Sequence, residues 1–166
     1  NVYLVAPDRP GFGFSDPQPK RTLLDWADDV GQLADGLDID RFAVLGLSGG
    51  GPHVAAVAYG MVERVSAAAI VSGVAPPEMP KKLQGMFFPL RLNFIMARYA
   101  PWLGKLFLSQ MGGVYADPEK FLNMVKRGLP QPDRDLAVER PEVIFQFSEA
   151  AVESHRQGIE ADAVEW

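Results

Sequence analysis

The sequence predicts an α/β fold built on a parallel sheet, and its pattern of alternating segments supports this. Apolar runs at residues 2–6, 42–45 and 65–71 lack the alternation of half-exposed strands, as expected for strands buried on both faces. Helical patterns at residues 23–37 and 52–60 separate these runs. Strands that alternate with helices indicate parallel pairing. We therefore expect a parallel sheet with helices on both faces.

The first predicted helix begins after Thr22, a suitable N-cap residue. Asp25 follows three residues later, as in a variant of the capping box. Acidic residues occupy the other face, which predicts a solvated surface and not a metal site. Apolar residues recur at i, i+3, i+4 and i+7 along one face, namely Leu23, Trp26, Ala27, Val30, Leu33, Ala34 and Leu37.

A G-x-S-x-G sequence at residues 46–50 joins the second predicted strand to the second predicted helix. This context is that of a nucleophile elbow, a tight turn that presents a serine above the sheet. We predict Ser48 as the nucleophile and the Gly49 N–H as an oxyanion donor at the helix N-terminus. Gly46 and Gly50 are predicted as spacers, because glycine removes Cβ atoms that would clash in the turn. The alternative is an ordinary tight turn.

Composition limits the partners of this 166-residue chain. A net charge of −5 argues against nucleic acid or an anionic membrane as the main partner. The sequence has no cysteine, which excludes disulfides and cysteine-ligated metals, and we expect neither a metal nor a cofactor. No signal peptide or long uncharged apolar run is evident, so the compartment stays open, with the cytoplasm favoured. The chain begins inside a predicted strand without Met, and we expect an internal piece of a longer protein.

Two motifs together resemble the α/β-hydrolase superfamily, and the resemblance covers residues 1–75. They are a D-x-x-G-x-G-x-S loop, formed by Asp8, Gly11, Gly13 and Ser15, and the elbow around Ser48. Within the superfamily, the chain is similar to serine esterase-like members with a helical cap. The resemblance implies that residues 2–6, 42–47 and 65–72 are the fourth, fifth and sixth strands. Haloalkane dehalogenases and epoxide hydrolases carry aspartate at the elbow, so they resemble the chain less.

The resemblance also implies three segments: a partial core at 1–73, a helical cap at 74–140, and a return helix at 141–166. Repeated prolines divide residues 74–140 into short apolar stretches, which we interpret as short helices. A cap of this kind selects substrate and excludes water. The apolar side chains of the cap could line an acyl or aromatic pocket, or they could be buried in the cap's own core. These side chains include Met86, Phe87, Phe88, Phe94 and Met96.

The catalytic partners of Ser48 are harder to assign. A serine nucleophile needs a base and a carboxylate that orients it, and the family order is Ser, acid, His. His53 falls in the helix behind the elbow, where we expect a structural role. His155 has the right order but lies in a helical pattern, and Glu78 lies just past the sixth strand; both are weak candidates. We expect the acid, the base and a second oxyanion donor outside this chain, which alone should hydrolyse esters little faster than buffer.

The predicted function is serine hydrolysis of a small apolar carboxylic ester or related acyl substrate. The alternative is a non-catalytic α/β-hydrolase-fold module that binds a small apolar ligand. A proline-type aminopeptidase or a C–C bond hydrolase is a variant of the enzymatic hypothesis. The sequence specifies neither the substrate nor the oligomeric state.

Overall fold

The structure is a computed structural model, and its elements between residues 23 and 71 follow the predicted order. Helices and strands alternate first, and helices follow. The elements are α1 (Leu23–Gly36), β1 (Phe42–Leu47), α2 (Gly50–Gly60), β2 (Val65–Val71), α3 (Phe88–Tyr99), α4 (Pro118–Gly128) and α5 (Gln131–Glu139). The described residues are 2–75, 79–81, 83–86, 88–100, 102–103, 106, 113–114, 117–128, 130–143, 145–146 and 149.

β1 and β2 form a parallel two-stranded sheet, which confirms the predicted α/β class. Phe42 pairs with Val65 at one end and Leu47 with Val71 at the other. Parallel strands need a crossover connection, and α2 provides it. This helix packs against both strands and against α1, so it forms the centre of this part of the molecule.

The burial of α2 follows from its central position. His53, Val54, Ala56 and Val57 are all buried, and Val57 is only 2% exposed. The helix begins at Gly50, two residues before the predicted start. Pro52 still lies in its first turn, where the missing N–H costs no helical hydrogen bond.

The helix α1 has a capped N-terminus and packs through small residues. The Thr22 N–H donates to the Asp25 carboxylate at 2.6 Å, which confirms the predicted interaction across the first turn. Ala27 and Ala34 are buried on the predicted apolar face. A Cβ on Gly60 of α2 would lie 3.0 Å from the Ala27 Cβ. The two helices therefore approach closely because both contact residues are small.

Two expectations about the strands are wrong. Ala43, Leu45 and Leu47 of β1 are exposed, with Leu45 72% exposed, so helices do not cover both faces of the described sheet. The reason is that α1 packs on α2. The run Val2–Ala6 adopts no strand within the described part of the chain, because a β-rich composition does not form a ladder without a paired neighbour.

The chain divides into two compact units. Pro19–Gln84 forms one of them, which contains the sheet. The described residues of Asn1–Gln18 and Gly85–Val164 belong to the other, where α4 and α5 pack together with Phe121 and Ala137 buried. The predicted segment boundaries after residues 73 and 140 stay predictions.

Helical residues lie on both sides of the predicted boundary at residue 140. The helix α5 was not predicted, because its sequence has few apolar residues. Residues 141–143 and 145–146 are helical, at the predicted start of the return helix, and most of that segment lies outside the described residues. No helix in the described ranges is long and apolar enough to cross a membrane.

The D-x-x-G-x-G-x-S loop is held by its own hydrogen bonds. The Ser15 hydroxyl donates to the Asp8 carbonyl at 2.8 Å, and the Phe14 N–H donates to the Asp8 carboxylate at 3.3 Å. Gly11 and Gly13 have φ of 82° and 53°, and a Cβ on Gly13 would overlap the Asp8 carboxylate. Each motif residue therefore has a structural reason within the loop.

Candidate active site

Ser48 lies in a strained turn between a parallel strand and a helix. It directly follows β1, which ends at Leu47, and α2 begins at Gly50. Its φ is 52°, in the left-handed region that residues with a side chain rarely adopt. The residue is exposed, and it stands at the carboxyl end of its strand, where parallel α/β sheets bind ligands. The strand–turn–helix geometry is the one that the sequence predicts around Ser48.

Both backbone polar groups of Ser48 are hydrogen-bonded. Its N–H donates to the Val71 carbonyl at 2.9 Å, at the end of the neighbouring strand. Its carbonyl accepts from the Gly51 N–H and from the Val74 N–H, each at 3.1 Å. The turn is therefore held on one side by the start of α2 and on the other by the chain around the end of β2.

The glycines around Ser48 differ in how much space a side chain would have at each position. A Cβ on Gly46 would lie 2.5 Å from the Gly50 carbonyl oxygen and 2.7 Å from the Val54 side chain. Gly46 is therefore a true spacer. A Cβ on Gly50 would meet nothing within 4 Å, so the steric role that we expected at Gly50 is wrong.

The spacer on the helix side is Gly51, which the sequence reasoning missed. A Cβ on Gly51 would lie 3.0 Å from both the Gly73 Cα and the Ile70 Cγ2. The run of three glycines at 49–51 was the available signal. It did not show which glycine faces the end of β2, because that depends on the tertiary contact.

Gly49 is the N-cap of α2, with φ −61° and ψ −15°. Within the ranges that the structure describes, its N–H donates to no acceptor. The first N–H groups of a helix have no partner within the helix. An unpaired N–H beside an exposed serine hydroxyl is the arrangement that stabilisation of an oxyanion requires. The role predicted for Gly49 stays a prediction.

His53 is held in the interior by two contacts. It is 3% exposed, and its Nδ1 lies 3.1 Å from the Gly49 carbonyl oxygen. Its ring meets Trp26 edge-to-face, with centroids 6.0 Å apart. These contacts give His53 a packing role in α2.

Three of the other predicted site residues lie in parts of the chain that the structure does not describe. Glu78 and His155 lie outside the described residues, as does Phe87 of the predicted pocket. Met96 is buried and Phe88 is 70% exposed, so the predicted pocket residues do not share one environment. The described residues contain no cluster of His, Asp or Glu that could hold a metal ion.

The comparisons with known proteins agree with this geometry. A family model described as alpha/beta hydrolase fold matches residues 4–135, which is more than half of the chain and includes Asp8 and Ser48. No curated protein and no solved structure matches the chain. The matched range also contains the parallel sheet and the turn at Ser48. The chain therefore belongs to the alpha/beta hydrolase fold family.

Proposed function

We propose that the protein is a serine hydrolase in which Ser48 attacks a carboxylic ester or a related acyl substrate. The observation that carries this proposal is the left-handed backbone of Ser48, with φ of 52°, at an exposed residue. Backbone strain of this kind costs about 1–3 kcal/mol and is concentrated at functional sites. Backbone hydrogen bonds to Val71, Gly51 and Val74 hold the strained turn, and the exposed side chain leaves the hydroxyl accessible to a substrate.

The proposed chemistry combines the Ser48 hydroxyl and the Gly49 N–H with the base and the acid that a serine nucleophile requires. Ser48 Oγ forms a bond to the carbonyl carbon as its proton passes to an imidazole base held by a carboxylate. The Gly49 N–H stabilises the oxyanion, whose collapse expels the alcohol oxygen, and that oxygen takes the proton from the imidazolium. Water then attacks the acyl group, gives its proton to the same base, and Ser48 leaves with that proton.

Family membership and the apolar residues of segment 74–140 support our proposal for the substrate class. We expect a small apolar acyl or ester substrate, and we interpret residues 74–140 as the segment that selects it. His155 and Glu78 are the weak candidates within this sequence for the histidine and the acid. A proline-type aminopeptidase or a C–C bond hydrolase would use the same nucleophile.

The test uses the full-length protein with p-nitrophenyl butyrate and a fluorophosphonate probe. We expect turnover, labelling at Ser48 located by peptide mass spectrometry, and a loss of kcat of about 10⁴-fold or more in S48A. The matched control is S66A, which removes the hydroxyl that donates to the Phe42 carbonyl at 2.9 Å, at the other end of the sheet. S66A should retain turnover and labelling.

Two outcomes would contradict the proposal. Turnover that persists in S48A would place the nucleophile elsewhere. A folded wild-type protein without turnover or labelling would favour the binding-module alternative, in which Ser48 has no catalytic role.

A further inference from the structure

We propose that the turn after β2, residues Ser72–Val74, positions the Ser48–Gly49 peptide and so orients the proposed oxyanion donor. We call these three residues the β2 turn. The inference rests on the proposed function and adds positioning residues to it. It is carried by backbone hydrogen bonds, by a contact between two glycines, and by a second strained serine.

The first observation is that the β2 turn has the same backbone conformation at its first residue as the turn at Ser48. Leu47 pairs with Val71 in the parallel register, so Ser48 and Ser72 are the next residues on adjacent strands. Their φ values are 52° and 49°, and both residues are exposed. Two neighbouring strands therefore turn through the same unfavourable conformation at the same level of the sheet.

The second observation is where the hydrogen bonds of Ser48 go. Its N–H donates to Val71, just before Ser72, and its carbonyl accepts from Val74, just after Ser72. The left-handed residue Ser72 lies between these two partners. A different conformation at Ser72 would move the Val74 N–H away from the Ser48 carbonyl.

The third observation explains how closely the two turns approach. A Cβ on Gly73 would lie 2.4 Å from the Ile70 Cγ2 and 3.6 Å from the Gly51 Cα. The Gly51 N–H and the Val74 N–H donate to the same oxygen, the carbonyl of Ser48. The contact between Gly51 and Gly73 thus brings two donors to one acceptor.

The consequence for catalysis follows from the planarity of the peptide bond. The Ser48 carbonyl and the Gly49 N–H belong to one trans peptide and point in opposite directions. Two donors on the carbonyl oxygen hold that plane, and therefore hold the direction of the Gly49 N–H. A rotated plane would weaken the oxyanion interaction without removing the Ser48 hydroxyl.

The experiment compares substitutions that disturb the β2 turn with substitutions that are compatible with its backbone conformation. S72V opposes the left-handed φ because valine is β-branched, whereas S72G accepts it. G73A clashes with Ile70, and the I70A/G73A double variant removes the methyl group responsible. Each is measured beside I70A and S66A for kcat, KM and inhibition by a trifluoromethyl ketone. Hydrogen exchange of the Val74 amide is measured on the same samples.

We expect S72V and G73A to lower kcat by about 10²-fold, the effect of losing an oxyanion donor, with KM unchanged. Affinity for the trifluoromethyl ketone should fall with kcat, and protection of the Val74 amide should be lost. S72G should retain at least about tenfold more activity than S72V, and I70A should recover most of the loss in G73A.

Equal losses in S72G and S72V would overturn the proposal, because the hydroxyl and not the backbone would then matter. Loss of Val74 protection without a change in kcat would also overturn it. If S48A retains turnover, the proposed function fails separately, since Val74 exchange reports on the β2 turn without any catalysis.

Discussion

The imidazole of His53 is hydrogen-bonded to the backbone of Gly49 across the first turn of α2, with Nδ1 3.1 Å from the carbonyl oxygen. A carbonyl only accepts hydrogen bonds, so Nδ1 carries the proton. The ring also packs edge-to-face on Trp26. His53 therefore connects the residue after Ser48 to α1, and the contacts with Gly49 and Trp26 are separable by substitution.

We expect H53F and H53N to destabilise the protein for different reasons. H53F keeps an aromatic ring against Trp26 but removes the donor to Gly49, at a cost of about 1 kcal/mol. H53N places an amide N–H near the position of Nδ1 but removes the ring, at a cost of about 0.5–1.5 kcal/mol from the aromatic pair alone. Urea unfolding measures both. Wild-type stability in H53F would show that the hydrogen bond to Gly49 contributes nothing.

The backbone at Ser48 predicts a reversed order of stability between alanine and glycine. Ala is normally more stable than Gly by about 0.5–1 kcal/mol. At φ of 52° the Cβ is unfavourable, so S48G should be more stable than S48A by about 1 kcal/mol. The control is A55G in the middle of α2, where we expect the usual loss of about 1 kcal/mol. If S48A is the more stable variant, Ser48 does not adopt the left-handed conformation in solution.

Gly46 and Gly50 provide a matched pair of alanine substitutions. G46A places a Cβ 2.5 Å from a backbone oxygen, and overpacking of this kind costs about 1–3 kcal/mol or more. G50A meets nothing within 4 Å, and alanine favours the helix by up to about 1 kcal/mol. We expect a lower melting temperature in G46A and an equal or higher one in G50A. A G50A variant as unstable as G46A would contradict the described geometry.

Arg64 joins the turn before β2 to the last turn of α1 and to the segment that follows α1. Its guanidinium donates to the carbonyls of Ile39 at 2.5 Å and Asp40 at 3.0 Å, and to the Asp35 carboxylate at 2.7 Å. Lysine cannot reproduce this set of bonds, so R64K should cost about 1–3 kcal/mol.

D35N is the control for Arg64, because it removes only the ion pair with a carboxylate that is 69% exposed. Such pairs contribute about 0–1 kcal/mol. Chemical denaturation should therefore rank R64K well below D35N. Equal stability of the two variants would mean that the bonds to Ile39 and Asp40 contribute little.

The start of α4 should show a pH-dependent contribution from Asp117. Hydrogen bonds from the Lys120 side chain and backbone hold the pKa of Asp117 below its usual 3.8, with Nζ 2.8 Å from the carboxylate. Because the folded-state pKa is lowered, this contribution is present above pH 3.8 and is lost as pH falls through the folded pKa. It should be small and sensitive to salt, because the pair is exposed.

An NMR titration of the Asp117 carboxyl carbon measures this shift. K120M should raise the pKa part of the way toward 3.8, because the backbone N–H of residue 120 still donates to the carboxylate at 3.1 Å. K126M, farther along the same helix, should leave it unchanged. A pKa that does not respond to K120M would exclude the Lys120 side chain as its cause.

Local pattern was enough to predict a large part of the fold. The order of α1, β1, α2 and β2, the interaction of Thr22 with Asp25, and the turn at Ser48 all depend on residues close together in the sequence. Periodicity, capping and glycine spacing express the same short-range sterics and hydrogen bonds that form these elements. The position of Ser48 after a parallel strand could therefore be read directly.

Only the tertiary structure decided how these elements meet. The spacer on the helix side is Gly51 and not Gly50, because Gly51 faces Gly73 across the sheet edge. The Ser48 carbonyl is bound by Val74, a partner that no spacing in the sequence indicates. In the described part of the chain, apolar strands did not bring helices to both faces of the sheet, since α1 packs on α2. Contacts between distant segments depend on the packing of whole elements, which a local pattern does not encode.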